Sequence, residues 1–195
     1  MDSLPREIDT AATPAVKVDG LTKDFGDVQA VRGIDLTVYT GETFGFLGPN
    51  GAGKSTTISI LCTLLDPTSG TARVADFDVL TQRDDVRRNI GLVFQETTLD
   101  VYLSAAQNLE FHAELYGVPR ELVRPRMKQV LEMVGLWDRR DSLVQTFSGG
   151  MKRRLEIARG LMHSPRVLFL DEPTVGLDPQ TRSSIWKYLY ELRDS

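Results

Sequence analysis

Short apolar positions alternate with polar ones from residue 15 onward: Val16 and Val18, then Val28, Val31, Ile34, Leu36 and Val38. Gly20, Gly26, Gly33 and Gly41 break the run. Alternation interrupted by glycine marks strands joined by tight turns, so hairpin structure is predicted here. Residues 43–47 are nearly continuously apolar and end in Gly48-Pro49-Asn50-Gly51, which predicts a buried strand followed by a turn. The period then changes. Ile58, Leu61, Cys62 and Leu65 lie on one helical face, predicting a helix over 55–65 that Pro67-Thr68-Ser69-Gly70 stops. Cys62, among apolar neighbours, reads as an inert core thiol.

Two further strands are predicted, 71–75 and 90–94, with a charged helix over 84–89 between them. After Gln95 the character is helical. Residues 103–116 and 121–134 carry helical spacing, the second through Val123, Met127, Val130 and Val134, and Gly117-Val118-Pro119 separates them. A helix over 149–163 follows, then a strand over 167–170 that ends in Asp171-Glu172, then a helix over 179–192. Residues 1–14 lack periodicity and read as a flexible N-terminal tail. Residues 15–195 read as one domain: 15–95 and 148–195 form a core with a β-subdomain, and 96–147 form a helical insert.

Composition narrows the function classes. The chain has 195 residues, 41% hydrophobic and 26% charged, which excludes wholesale disorder. Lys plus Arg is 23 against 27 Asp plus Glu, a formal charge of −4 that argues against non-specific nucleic-acid binding. One cysteine excludes an internal disulfide, and two histidines argue against a histidine-based metal site. No apolar run approaches the roughly 20 residues that span a bilayer. The N-terminal stretch is polar and carries acids, unlike a signal or transit peptide. The expectation is a soluble protein of a reducing compartment.

The chemistry concentrates in three places. Gly48-Pro49-Asn50-Gly51-Ala52-Gly53-Lys54-Ser55 matches the phosphate-binding pattern G-x-x-x-x-G-K-[ST]. Its glycines let backbone N–H groups curl around phosphate oxygens, and the helix that follows points its positive end at the same spot. Lys54 is placed to reach the β- and γ-phosphates, and Ser55 offers a hydroxyl to Mg²⁺. At the second place, residues 167–170 end in Asp171-Glu172. Strand ends are where open parallel sheets bind ligands. Asp171 suits the Mg²⁺ shell and Glu172 a general base that polarises water. The third is Phe147-Ser148-Gly149-Gly150-Met151, where Ser148 is a natural N-cap and the two glycines leave N–H groups open. One nucleotide does not need two such anion sites from one chain. A head-to-tail dimer, in which each Ser-Gly-Gly helix caps the γ-phosphate held by the other copy, resolves this. Lys152, Arg153 and Arg154 read as a solvated helix face.

Taken together these motifs resemble the ATP-binding subunit of ABC (ATP-binding cassette) transporters, over nearly the whole chain from Val16. Residues 48–56, through Thr56, resemble the Walker A loop. Gln95, in Val93-Phe94-Gln95-Glu96, resembles the Q-loop glutamine, which in the family contacts Mg²⁺ and the water and senses the membrane partner. Ser148-Gly149-Gly150 resembles the signature and residues 167–172 Walker B. Gly176-Leu177-Asp178 resembles the D-loop, which crosses the dimer interface. Phe25 sits where the family stacks an aromatic on adenine; read alone, it is a core or hairpin aromatic. The resemblance implies an α/β fold: a P-loop NTPase (RecA-like) core with an N-terminal antiparallel β-subdomain and a helical insert.

Residues 147–182 closely resemble the ATPases of ABC-2 type exporters, nearest the daunorubicin/doxorubicin-resistance group. Phe147 and Met151 depart from the commoner signature but suit that branch. The implied function is ATP binding and hydrolysis, with Mg²⁺, powering efflux of a drug or other hydrophobic compound. The implied partner is a separate ABC-2 membrane permease, with the chain peripheral on the cytoplasmic face of the membrane and a homodimer or cassette pair enclosing two ATP. The family also places a switch histidine on the strand beyond Walker B. Only 23 residues follow Glu172, and both His112 and His163 precede it. The expectation is a C-terminally truncated domain with partial ATP binding and impaired hydrolysis. The alternatives are a nucleotide-binding subunit without turnover, or a soluble ABC ATPase outside transport.

Overall fold

The computed structural model describes residues 13–172 and 179–193. The chain forms two compact units that part between Val86 and Arg87.

The first unit is built on a hairpin. Strands β1 (Pro14–Phe25) and β2 (Val28–Tyr39) pair antiparallel, with Val16 opposite Val38, Val18 opposite Leu36 and Phe25 opposite Val28. The other edge of β1 pairs with β3 (Ser69–Val74), which turns back into β4 (Phe77–Asp78), giving the order β2-β1-β3-β4. Alternation does its predicted work: Val16 and Val18 are buried, while Lys17 between them and Asp19 after them face out. β1 starts at Pro14, inside the predicted tail, because proline is tolerated as the first residue of a strand. Helix α1 (Lys54–Leu61) packs on β2 and β3 and buries Ile60 and Leu61. It ends earlier than predicted, with Cys62 as C-cap and Thr63 in the left-handed region at φ 60°. Cys62 is buried, as expected of a core thiol.

Residues 43–47 do not form the predicted buried strand. Among the described residues no strand pairs with them, so their backbone groups gain no ladder partners. Leu47 is 97% exposed, and Phe44 and Phe46 pack edge to face on each other, with centroids 5.2 Å apart.

Helix α2 (Arg83–Asn89) carries the chain into the second unit. There β5 (Ile90–Val93) pairs parallel with β6 (Val167–Leu170), with Val93 opposite Leu170. Between them run α3 (Ala105–Leu115), α4 (Arg120–Met133), two short 3-10 turns and α5 (Gly149–Gly160); α6 (Pro179–Arg193) closes the described chain. A capping box starts α3: Ser104 Oγ accepts from the Gln107 N–H and Gln107 Oε1 accepts from the Ser104 N–H.

Helix α5 serves two cores. Leu155, Ala158 and Met162 at its end join Leu109 and Ala113 of α3 and Met127, Val130 and Leu131 of α4. Ile157, on another face, packs with Val93 of β5 and Ile185 of α6. Gly91 allows the close approach of β5 to α5, since a Cβ there would stand 2.5 Å from the Gly160 carbonyl oxygen. Burying a leucine such as Leu109 or Leu155 contributes about 1.5–3 kcal/mol. The helix that begins with Ser-Gly-Gly is therefore fixed to both the helical layer and the strand pair.

Candidate nucleotide site

The phosphate-binding pattern lies in the first unit, as a loop running into α1. Gly53 is the N-cap at φ 84°, a conformation costly for any residue with a Cβ, and an added Cβ would meet the Ala30 carbonyl oxygen at 2.4 Å. Glycine is required here both for the turn and for the contact. No acidic residue lies in the first turn of α1, so its positive end is left uncompensated. The Lys54 ammonium donates to the carbonyl oxygens of Gly48 and Pro49, at 2.8 and 2.9 Å, and so lies over the loop. Thr57 Oγ1 and the Thr57 N–H both donate to the Gly53 carbonyl, tying the first turn to the loop. Ser55 is exposed and Thr56 half-buried beside Lys54. A glycine-rich loop, a helix N-terminus and an ammonium fit a polyphosphate.

Phe25 is in the same unit, on the hairpin beside the turn, and is 51% exposed. The Lys23 ammonium stands 5.1 Å from its ring centroid. This exposure excludes burial in the core and leaves both a plain hairpin aromatic and a stacking aromatic as readings of Phe25.

The other candidates are in the second unit. Gln95 is exposed on the bend directly after β5. Asp171 and Glu172 follow β6, the neighbouring strand, and the Asp171 N–H donates to the Val93 carbonyl at 3.0 Å, extending the parallel ladder by one bond. Gln95 and the acidic pair thus leave the same end of the same strand pair. Glu172 has φ 47°, an uncommon conformation outside glycine that is often found at functional positions. Ser148 caps α5 with φ −64° and ψ 162°, its Oγ accepting from the Met151 N–H at 3.2 Å. Gly149 and Gly150 open the helix, and no acid lies in its first turn. The D-loop residues Gly176, Leu177 and Asp178 lie outside the described residues. Ser55, Gln95 and Asp171 offer hard oxygen donors of the type Mg²⁺ accepts.

The solvated face predicted for Arg153 does not form: Arg153 is 7% exposed and paired with Glu156, which is 2% exposed, at 3.2 Å. Arg154 donates to the Val134 carbonyl at 2.8 Å. Arg153 Nη1 also donates to the Phe94 carbonyl, and Nη2 to the Asp171 carbonyl at 3.0 Å. The basic run masked this. The available signal was the i, i+3 spacing of Arg153 and Glu156, which puts both on the face that Ile157 directs toward the strands.

Comparison with known proteins agrees with the fold and the motifs. Residues 31–175 match the family described as ABC transporter. The chain is 45% identical over 188 residues to the daunorubicin/doxorubicin resistance ATP-binding protein DrrA of Streptomyces peucetius, covering 96% of this chain and 57% of that protein. It is 41% identical over 180 residues to the linearmycin resistance ATP-binding protein LnrL of Bacillus subtilis, covering 92% and 58%. The chain thus spans little more than half the length of these relatives. Among solved structures it is similar to cbiO1 of Clostridium perfringens, part of the ABC transporter complex cbiONQ, with TM-score 0.85, 33% identity, and 93% and 74% coverage. It is also similar to the ATP-binding cassette MJ0796 in a dimeric post-hydrolysis state with ADP and Pi, with TM-score 0.79, 31% identity, and 92% and 83% coverage. The α/β P-loop fold expected from the sequence is the fold of these neighbours. On the family match and these identities, the chain belongs to the ABC transporter family.

Proposed function

We propose that this chain binds and hydrolyses ATP as the energy-coupling part of an ABC exporter. The observation that carries the reading is the loop into α1, where Gly53 and Lys54 build an anion cradle at a helix N-terminus without acids. Lys54 and the loop N–H groups bind the β- and γ-phosphates and stabilise the charge that develops on transfer. Phe25 stacks on the adenine. Glu172 accepts a proton from the water that attacks the γ-phosphorus in line, and Gln95 orients that water. When bound, Mg²⁺ neutralises phosphate charge; Ser55, Asp171 and Gln95 are the residues that would hold it.

Ser148, Gly149 and Gly150 act across a dimer, capping the γ-phosphate held by a second cassette. The partner that turns this cycle into transport is a membrane permease of the ABC-2 type, and the chain sits on the cytoplasmic face against it. No helix among the described residues is long and apolar enough to cross a membrane. Support for export comes from the relatives' names, which speak of daunorubicin/doxorubicin resistance and linearmycin resistance. The cargo class is a drug or other hydrophobic compound.

Calorimetric titration with ATP, with and without Mg²⁺, tests the reading. The expected result is one site per chain, tightened by Mg²⁺ and weakened at least about tenfold in Lys54→Ala, a loss of about 1.4 kcal/mol. Equal affinity in wild type and Lys54→Ala would reject the cradle.

A further inference from the structure

The second unit holds a buried polar network that the proposed chemistry leaves unused. Its centre is Arg153, in the second turn of α5. The guanidinium donates to the Phe94 carbonyl, to the Asp171 carbonyl at 3.0 Å and to the Glu156 carboxylate at 3.2 Å. The two carbonyls belong to the residues immediately before Gln95 and Glu172. One planar fork therefore joins the ends of β5 and β6 just past their last ladder bond. A buried carbonyl without a donor is costly, and arginine suits this place because its several N–H groups lie in fixed directions.

Two further observations give the network direction. The Asp171 carbonyl belongs to the peptide that precedes Glu172, and Glu172 holds φ 47°. Strained backbone persists where its surroundings over-determine it, and the bond from Arg153 fixes the plane on one side of that torsion. On the other strand, Glu156 Oε1 accepts from the Thr98 N–H at 2.9 Å, and Arg159 Nη1 donates to the Thr98 carbonyl at 2.9 Å. The bend carrying Gln95 is thus held at Phe94 and at Thr98 by three residues of one helix. That helix is the one Ser148 caps.

We propose that Arg153 is a positioning residue, which with Glu156 sets the backbone under Gln95 and Glu172 from the signature helix. The role rests on the reading that Gln95 and Glu172 serve hydrolysis. Arg153 touches no reacting atom. It acts by holding two peptides, so its loss misplaces the glutamine and the carboxylate while the phosphate loop in the other unit keeps its own contacts. A misplacement of about 1 Å at reacting groups costs on the order of 100-fold in rate.

The test uses the whole chain with Arg153→Met, Arg153→Lys and Glu156→Gln. Steady-state hydrolysis gives kcat and KM for ATP, calorimetry gives nucleotide affinity, and hydrogen–deuterium exchange reads residues 93–98, 169–172 and the hairpin at 14–39. In Arg153→Met, kcat is expected to fall roughly 10- to 100-fold with KM and affinity within about twofold. Exchange is expected to rise in residues 93–98 and 169–172 together and to stay unchanged in the hairpin. Arg153→Lys keeps the charge opposite Glu156 without the fork, so it should fall between wild type and Arg153→Met. Unchanged kcat and exchange would overturn the proposal. So would a loss of activity that merely follows a loss of folded protein and of nucleotide affinity. If Arg153→Met does not fold, Arg153→Lys and Glu156→Gln carry the same readouts. If the wild type turns over no ATP, the functional reading fails, and exchange alone decides the positioning role: a joint rise supports it and no change overturns it.

Discussion

The rings of Tyr116 and His163 stack face to face, with centroids 4.0 Å apart and planes 21° from parallel. His112, one turn before Tyr116, stacks on the same ring at 4.5 Å. His163 meets the Ile90 carbonyl through Nε2 at 2.8 Å, while its Nδ1 and the His112 Nε2 are buried with no hydrogen-bond partner among the described residues. Burial first, then the nearby Arg159 and His163, lowers the pKa of His112 from 6.5 to about 3. Burial also lowers that of His163, against the pull of the Ile90 carbonyl, with Arg126 adding to the lowering. Both rings are therefore neutral in the folded chain near neutral pH.

The sign of the pH effect follows. Below pH 6.5 the unfolded chain takes up protons that the folded chain refuses, so stability is full above that value and falls toward pH 3. Urea unfolding at a series of pH values should show this slope. In His112→Phe the slope should flatten at no cost at neutral pH, because the orphaned nitrogen is gone. An unchanged slope would remove His112 from the account.

Gly53→Ala should destabilise the first unit. It sets a Cβ at φ 84° and 2.4 Å from the Ala30 carbonyl oxygen. A loss of about 1–3 kcal/mol is expected from the strained backbone alone, together with weaker nucleotide binding as the loop shifts. Thermal unfolding and an ATP titration of the same sample check both parts.

Ser104→Ala removes half of the capping box at α3 and should cost about 1 kcal/mol of stability. Nucleotide affinity should not change, since the cradle lies in the other unit. Chemical denaturation beside an ATP titration separates the two readouts.

Much of this was legible in the sequence because local pattern and local structure agreed. Period-2 alternation gave β1 and β2, and β6 runs over the predicted 167–170. Ser148 caps α5 as its residue type implied. Residues 43–47 failed for a physical reason: an apolar run states that a segment prefers burial, whereas a strand also needs a neighbour to take its backbone groups. Arg153 was misread for a related reason. A basic run is solvated by default, and only the tertiary partners, the Phe94 and Asp171 carbonyls and Glu156, make burial of one member favourable. The left-handed backbone at Glu172 had no signal in residue type, because glutamate does not favour it.

The most direct test of the account is phosphate release from Mg·ATP by the wild-type chain and by Glu172→Gln at saturating nucleotide. The account predicts turnover in the wild type and a fall of at least about 100-fold in the variant, with nucleotide affinity retained, since loss of a general base removes on the order of 10²–10⁴ in rate. Equal rates in the two proteins would contradict it, because Glu172 would then not be the base and the chain would not hydrolyse ATP by the route proposed.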